Sequence, residues 1–457
     1  MSAMARPDPS DLLSLDRDVA RADAALRKWR RAVTADPQAH ADAAPLDPWR
    51  HVTGQSTYEA LGALSPTDLQ APHRDALRRW VYTLLQARLA IPVDAELAKA
   101  AADPSARLAL PKPTHVSWRQ AWSALLTAPT TAERSAALDA LTERGPALTA
   151  IVRRRRERRD EVAHRLGFAS ASLFEAKQVD LSAAAEAFLT STDDLAKAQL
   201  RSARAKLELA SDPPLAVDAI AIALARDAPE GWPVRLSRAW LEGLFGTFAR
   251  GLRLEVPAPP AALGASSFAR ACGAFGGALR RGGGSPSLPF ALARDPESPA
   301  PHRFAGVFGA LPSTRAFQKR ALGCSARVAD GQSRVLLRSA LLHLRLEAAR
   351  VLLRGPVDAR ERFEETTHRL FGAPLPPALA GAWPLAADDQ AARFLGLLTA
   401  IDLSDELTER FDEDWFANPR AVLHLRALAS GPAHEEPLAE PVPKARQLGR
   451  RFEQALG

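Results

Sequence analysis

Apolar residues recur three and four positions apart along most of the chain, which is the spacing of amphipathic α-helices. No run of alternating β-branched and polar residues predicts a strand. The pattern predicts a first helix over 11–33, a long one over 332–354 and another over 388–411. We therefore predict an all-α protein in which many helices are joined by short loops.

Local signals predict where several helices begin and end. Ser65-Pro66-Thr67-Asp68 and Thr130-Thr131-Ala132-Glu133 both have the residues of a capping box, in which hydroxyl and carboxylate satisfy free backbone N–H groups. Gly145-Pro146, Asp212-Pro213-Pro214 and Gly355-Pro356 predict helix ends, because glycine suits a left-handed cap and proline cannot continue a helix.

Irregular composition indicates where the chain divides. Residues 256–262 are rich in proline, and residues 281–302 are rich in glycine, serine and proline. Either stretch can separate two lobes. The predicted organisation is an N-terminal helical lobe over 11–255, a C-terminal helical lobe over 262–430, and a mobile tail over 431–457.

Composition places the chain among globular proteins, since 47% of its 457 residues are hydrophobic and 25% are charged. The two cysteines, Cys272 and Cys324, cannot form a disulfide framework or a thiolate zinc site. The first residues, with Arg6 and Asp8, lack the apolar run of a signal peptide, and the apolar stretch near 219–225 is too short to span a bilayer. We expect a cytoplasmic protein without membrane contact.

The net charge of +7 is carried mainly by arginine, and its densest run lies between Val152 and Val162, where no apolar residue occurs. Such a helix is exposed or bridges between lobes. Phosphate binding is one function of arginines in this pattern. Glu157 and Asp160 stand one turn from arginines, however, and no aromatic is interleaved, so a solvated helix is favoured over a nucleic-acid site. The candidate basic patch is Arg153, Arg154, Arg155, Arg156, Arg158 and Arg159.

The zinc-peptidase motif H-E-x-x-H is absent from the sequence. It needs two histidines one helical turn apart and a glutamate that activates water. Of the ten histidines only His434 is followed by glutamate, and Leu438 stands where the second histidine is needed. No catalytic residue, metal site or cofactor is therefore predicted.

Two weaker pairs remain as metal candidates. His343 and Glu347 lie four apart on the helix predicted over 332–354, but they share a polar stripe opposite an apolar one, which favours a solvated, salt-bridged face. Glu365 and His368 match the E-x-x-H half of a di-iron site, which needs two such motifs and two further glutamates from four helices.

Other polar features favour plain surface. The loop over 280–285 is glycine-rich but lacks the lysine and the Ser/Thr of a phosphate-binding P-loop. An acidic stripe next to Phe394, Leu398 and Ile401 is interpreted as solvated surface. Its members are Asp402, Asp405, Glu406 and Glu409.

Several segments resemble helical zinc oligopeptidases, the family of thimet oligopeptidase and oligopeptidase F. They are Phe363-Glu364-Glu365, Phe371-Gly372-Ala373-Pro374-Leu375-Pro376, Trp383-Pro384, Phe394-Leu395-Gly396-Leu397-Leu398, Phe411-Asp412-Glu413-Asp414-Trp415-Phe416-Ala417-Asn418-Pro419-Arg420, Leu425-Arg426-Ala427-Leu428 and Arg159-Asp160-Glu161-Val162-Ala163-His164-Arg165-Leu166-Gly167-Phe168. Together they cover about a quarter of the chain.

The resemblance implies a multihelical, two-lobed body with a central channel, in which active members cut short peptides. The chain departs from that chemistry because H-E-x-x-H is missing, and because Tyr58 and Tyr82 are the only tyrosines whereas active members place tyrosines late in the chain. No catalytic residue carries over.

Three functional hypotheses follow. The first is a non-catalytic binding or scaffold protein, a pseudopeptidase that still holds a peptide or protein partner between the helices predicted over 332–354 and 388–411. The second is a divergent peptidase whose metal is held by scattered residues, such as His302, His343, Glu347, Glu364 and His368. The third, disfavoured hypothesis is nucleic-acid binding through the basic patch.

Overall fold

A computed structural model shows a chain built almost wholly of helices. It describes residues 11–40, 42–64, 71–169, 171, 181–206, 216–224, 238–257, 265–353, 360–383, 389–433, 438 and 440–457. The predicted helix start at Ser65 and the predicted ends at Asp212 and Gly355 lie outside these residues.

The described residues form eighteen α-helices, with one small hairpin of two strands, β1 (Ala106–Leu108) and β2 (Thr114–Val116). The predicted all-α class is therefore confirmed. In chain order, the helices are α1 (Leu12–Ala35), α2 (Pro37–His40), α3 (Gln55–Ala63), α4 (Ala71–Ala102), α5 (Trp118–Thr127), α6 (Thr131–Arg165), α7 (Leu181–Lys206), α8 (Ala216–Leu224), α9 (Arg238–Ala249), α10 (Ala265–Gly282), α11 (Phe290–Ala293), α12 (Ala300–Ala310), α13 (Arg315–Arg320), α14 (Ala326–Leu352), α15 (Arg360–Phe371), α16 (Gln390–Phe411), α17 (Pro419–Ser430) and α18 (Pro441–Leu456).

Helix starts follow local chemistry where a capping residue is present. The Asp11 side chain accepts from Ser14 N at 2.9 Å and begins α1. The predicted capping box of Thr130 and Glu133 is confirmed at the start of α6, with both reciprocal hydrogen bonds formed.

The predicted helix end at Gly145-Pro146 is wrong, because α6 continues unbroken to Arg165. Proline removes one helical hydrogen bond, which is a local cost. Packing outweighs it here, since Gly145 is buried and has no room for a β-carbon beside the carbonyl oxygen of Ala378. A tertiary contact that requires glycine looks in the sequence like a helix terminator.

The hydrophobic cores do not follow the predicted division at 255–262. One core joins Leu141 and Phe188 to Phe394 and Leu398, which come from the two predicted lobes. A second core lies within the N-terminal helices α1 to α4 but also takes in Ala291. The described residues therefore share a core across the predicted boundary, and a division into two lobes stays a prediction.

The segment predicted to be a mobile tail contains α18, which is packed. Ala445 and Gly449 are buried, and Gly449 lies directly against Ser191 of α7. The acidic stripe predicted to be solvated provides the partner charges, because Asp402 pairs with Lys444 and Asp405 with Arg451. Burial of Ala445 and of Gly449, which lies against α7, explains why α18 is packed, and the cations of α18 explain why the acidic stripe is paired.

No helix within the described residues is long and apolar enough to cross a membrane.

Candidate functional site

The predicted metal candidates separate in the structure. Glu365 and His368 are both exposed on α15. His343 and Glu347 lie together on α14, with His343 Nε2 3.8 Å from Glu347 Oε1. The pair of His343 and Glu347 therefore lies where several helices meet, and the pair of Glu365 and His368 does not.

Glu347 is fully buried, so the predicted solvated face of α14 is wrong at this position. Its Oε1 accepts from Arg350 at 2.6 Å and lies 3.9 Å from the Arg393 guanidinium of α16. The salt-bridging part of the prediction is correct. The burial arises because α16 packs against this face of α14, a contact that periodicity along one helix cannot reveal.

Arg393 extends the network to a second carboxylate. Its guanidinium lies 3.3 Å from Asp389, and His302 Nε2 of α12 lies 3.1 Å from the same carboxylate. The connected side chains form what we call the polar cluster: His302, His343, Glu347, Arg350, Asp389 and Arg393.

Glycines bring α12 and α16 close enough to form the cluster. A β-carbon on Gly396 would lie 2.5 Å from His302 Cβ and 2.5 Å from the carbonyl oxygen of Pro299. A β-carbon on Gly306 would lie 2.6 Å from Ala400. With no side chain in the way, the two backbones approach closely and hold His302 against Asp389.

One imidazole of the cluster is partly exposed although protein groups surround it. The His343 side chain is 46% exposed. Desolvation lowers the pKa of its imidazole; the charge of Glu347 opposes this, and the charges of Arg350, Arg393 and Arg270 add to it. Arg281 of α10 is also exposed, and desolvation lowers its pKa. Accessibility combined with desolvation is typical of the wall of a cleft.

The carboxyl group of Asp389 has a strongly shifted pKa. Burial by itself would raise the pKa of this carboxyl, but the hydrogen bond from His302 and the charge of Arg393 outweigh it and lower the pKa to about 2. The carboxylate is therefore ionised across the physiological range.

We expect Asp389→Asn to weaken the fold in a pH-dependent way. A carboxyl whose pKa is lowered by folding stabilises the protein above its unfolded pKa near 4, and loses this contribution as pH falls towards 2. The free energies of unfolding of the two proteins should therefore differ above about pH 4 and converge near pH 2. Urea unfolding at several pH values measures this. A constant difference would contradict it.

The polar cluster does not fit a zinc ion. Within the described residues, no three His, Cys, Asp or Glu side chains come together in a metal-binding group. The chemistry of the donors also opposes it, because Arg350 and Arg393 already neutralise Glu347 and would repel a divalent cation. No zinc-dependent step is therefore assigned to these residues.

Sequence reasoning found part of the cluster and missed the rest. His302, His343 and Glu347 were among the scattered candidates, whereas Asp389 and Arg393 were not. The four-residue spacing of Asp389 and Arg393 is the one local signal that could have found them. Glu364, the remaining candidate, lies on α15 with Glu365 and His368.

The basic patch lies on α6, and α4 supplies partners for it. Arg154 pairs with Glu96, Arg155 with Asp94, and Arg159 donates to Gln86 at 2.9 Å. These three arginines connect α6 to α4, whereas the pairs predicted from the sequence lie along one helix.

Comparison with known proteins gives structural but not sequence matches. No family model and no curated protein matches the chain. PZ peptidase A with an inhibitor is similar in structure, with a TM-score of 0.55 and 12% identity over 99% of both chains. A Bacillus anthracis protein assigned as an oligoendopeptidase F is similar at a TM-score of 0.51, with 14% identity over 99% of this chain and 97% of that one. A further oligoendopeptidase F structure gives a TM-score of 0.53 with 14% identity, over 99% and 98% of the chains. These likenesses show that the chain has an oligopeptidase-like fold.

Proposed function

We propose that the protein binds extended peptides in the cleft bordered by the polar cluster, as a non-catalytic protein with an oligopeptidase-like fold. The observation that carries this proposal is that the partly exposed His343 imidazole lies 3.8 Å from the carboxylate of Glu347, whose buried Oε2 atom has no hydrogen-bond partner within the described residues. A cleft of this kind can hold a peptide through main-chain hydrogen bonds and shallow pockets without any catalytic group.

The cluster has groups suited to a peptide main chain. The lowered pKa keeps the His343 imidazole neutral at physiological pH, so it can donate from one nitrogen and accept at the other. The Glu347 Oε2 atom has no hydrogen-bond partner within the described residues. A buried oxygen left in that state costs about 1–3 kcal/mol, which a bound N–H group or water would recover.

The charge around Glu347 favours a peptide over a metal ion. Arg350 and Arg393 lie on one side of its carboxylate, and Arg270 acts on neighbouring His343. Guanidinium groups donate to carbonyl and carboxylate oxygens, which peptides supply.

We place the protein in the cytoplasm, because its two cysteines are both free and cytosolic thiols stay reduced.

A divergent peptidase is the second candidate. The structural neighbours PZ peptidase A and oligoendopeptidase F are peptidases by name, and the His302–Asp389 pair is of the type that orients a general base. Nucleic-acid binding by the basic patch is not proposed, because Arg154 and Arg155 already have carboxylate partners on α4.

Binding and cleavage of a labelled library of short unstructured peptides separate these candidates. We expect retention without cleavage, and retention about tenfold or more weaker in Arg393→Gln, because a charge-assisted hydrogen bond is lost. Arg420→Gln is the matched control, since Arg420 is exposed on α17 outside the cluster. Mass spectrometry of the peptides and elemental analysis of the protein complete the measurement.

Each outcome of this experiment decides between the candidates. Intact bound peptides with equal loss in both arginine variants would contradict the role of the cluster. Peptide cleavage that stops with a chelator and accompanies one zinc per chain would establish the peptidase instead. A library that neither binds nor is cut would exclude both.

A further inference from the structure

A cavity of about 530 Å³ lies outside the polar cluster, between α4 and the loop that follows α2. Its volume is within the range of about 300–1,000 Å³ typical of small-molecule sites. Apolar groups line much of it: Ala43, Ala44, Leu46, Ile91, Pro92 and Ala95. Leu46, Ile91 and Ala95 are buried in the N-terminal core, so this side of the cavity is a rigid apolar wall.

Three carboxylates also line the cavity, and each has a cation of its own. Asp47 pairs with Arg50 at 2.8 Å, Glu96 pairs with Arg154, and Asp42 lies 3.7 Å from Lys99. Each of these negative charges is therefore at least partly neutralised by a cation of the protein.

Among the described residues no carboxylate lies within ion-pair distance of the cavity's Arg88, although Arg50 and Asp47 act on its charge from further away. Its one hydrogen-bond acceptor within the described residues is the hydroxyl oxygen of Thr53, at 3.1 Å. The side chain is half-buried, and desolvation lowers the pKa of its guanidinium. A guanidinium has five N–H donors, so most of those of Arg88 are left for solvent or for a ligand.

We propose that this cavity is a binding site for a small carboxylate with an apolar chain. The carboxylate contacts Arg88, and the chain lies along Leu46, Ile91 and Ala95. An anionic group gives the desolvated guanidinium a carboxylate partner that no described residue supplies within ion-pair distance, and an apolar chain of a few carbons packs against the apolar wall. The site is independent of the peptide-binding proposal, because none of its lining residues belongs to the polar cluster.

Hexanoate and its neutral analogue hexanamide test the charge requirement. Calorimetric titration of the full-length protein should show hexanoate binding about tenfold or more tightly than hexanamide. Arg88→Met should remove this preference, whereas Arg21→Gln should keep it, since Arg21 is an exposed arginine of α1 that does not line the cavity. Ala44→Phe should weaken both ligands by filling the space, with little effect on stability because Ala44 is exposed.

A second probe distinguishes a free acid from the end of a peptide. N-acetyl-leucine carries the same carboxylate beside a peptide bond, and its affinity relative to hexanoate shows which source the site prefers. Equal binding of hexanoate and hexanamide would overturn the proposal, as would an unchanged preference in Arg88→Met. Failure of every probe to bind at millimolar concentration would also overturn it.

Discussion

Replacing Arg134 with methionine is expected to lower the free energy of unfolding by about 3–5 kcal/mol, because it leaves a buried charge without its partner. Arg134 and Asp218 are both fully buried and join α6 to α8, with Arg134 Nε 3.1 Å from the carboxylate. The guanidinium also donates to the carbonyl oxygens of Ala128 and Pro129. Methionine fills a similar volume, so the lost free energy comes from the Asp218 carboxylate left without its partner and from the two carbonyl oxygens left without hydrogen bonds. Urea unfolding measures it.

Two further variants separate charge from volume. Arg165→Gln breaks an ion pair with Glu161 that is exposed at both ends, so its effect should be at most about 1 kcal/mol. The double variant Arg134→Met, Asp218→Leu removes both charges and should recover part of the loss. If the single methionine variant were as stable as Arg165→Gln, the pair would not be buried as the structure shows.

Gly276→Ala is expected to destabilise the protein by about 1–3 kcal/mol, although alanine is the better helix former. A β-carbon at this position in α10 would lie 2.5 Å from the carbonyl oxygen of Phe304 and 2.9 Å from Phe308 Cβ, both in α12. Neither group can move without shifting α12, which carries His302. Peptide binding should therefore weaken along with stability.

The same substitution at Gly246 is the matched control. Gly246 lies in α9, and a β-carbon there would meet nothing within 4 Å. Gly246→Ala should stabilise the protein by about 0.5–1 kcal/mol, because alanine loses less backbone entropy in a helix. Thermal unfolding of both variants compares them. Stabilisation by both would show that α10 and α12 are further apart than described.

The sequence alone predicted those features that neighbouring residues control. Apolar spacing identified α1 and α16 to within two residues at the ends that the structure describes, whereas α14 begins at Ala326, six residues before the predicted start at 332. The capping residues placed the start of α6. The resemblance to oligopeptidases correctly indicated the fold, which the similar structures support. These signals work because a helix cap and the period of an apolar face are both set by residues within a few positions of one another.

Only the tertiary structure decided which polar residues are covered and what pairs with them. Periodicity placed Glu347 on a polar stripe, but the packing of α16 buried it beside Arg393. Residues 431–457 are predicted to be a mobile tail, but Ala445 and Gly449 of α18 are buried, and Gly449 lies against Ser191 of α7. Gly145-Pro146 has the residues of a helix end, but the helix continues and the glycine is needed for a close contact with the backbone of Ala378. In each case the deciding partner is far away in sequence, and only the packing of the helices brings the two together.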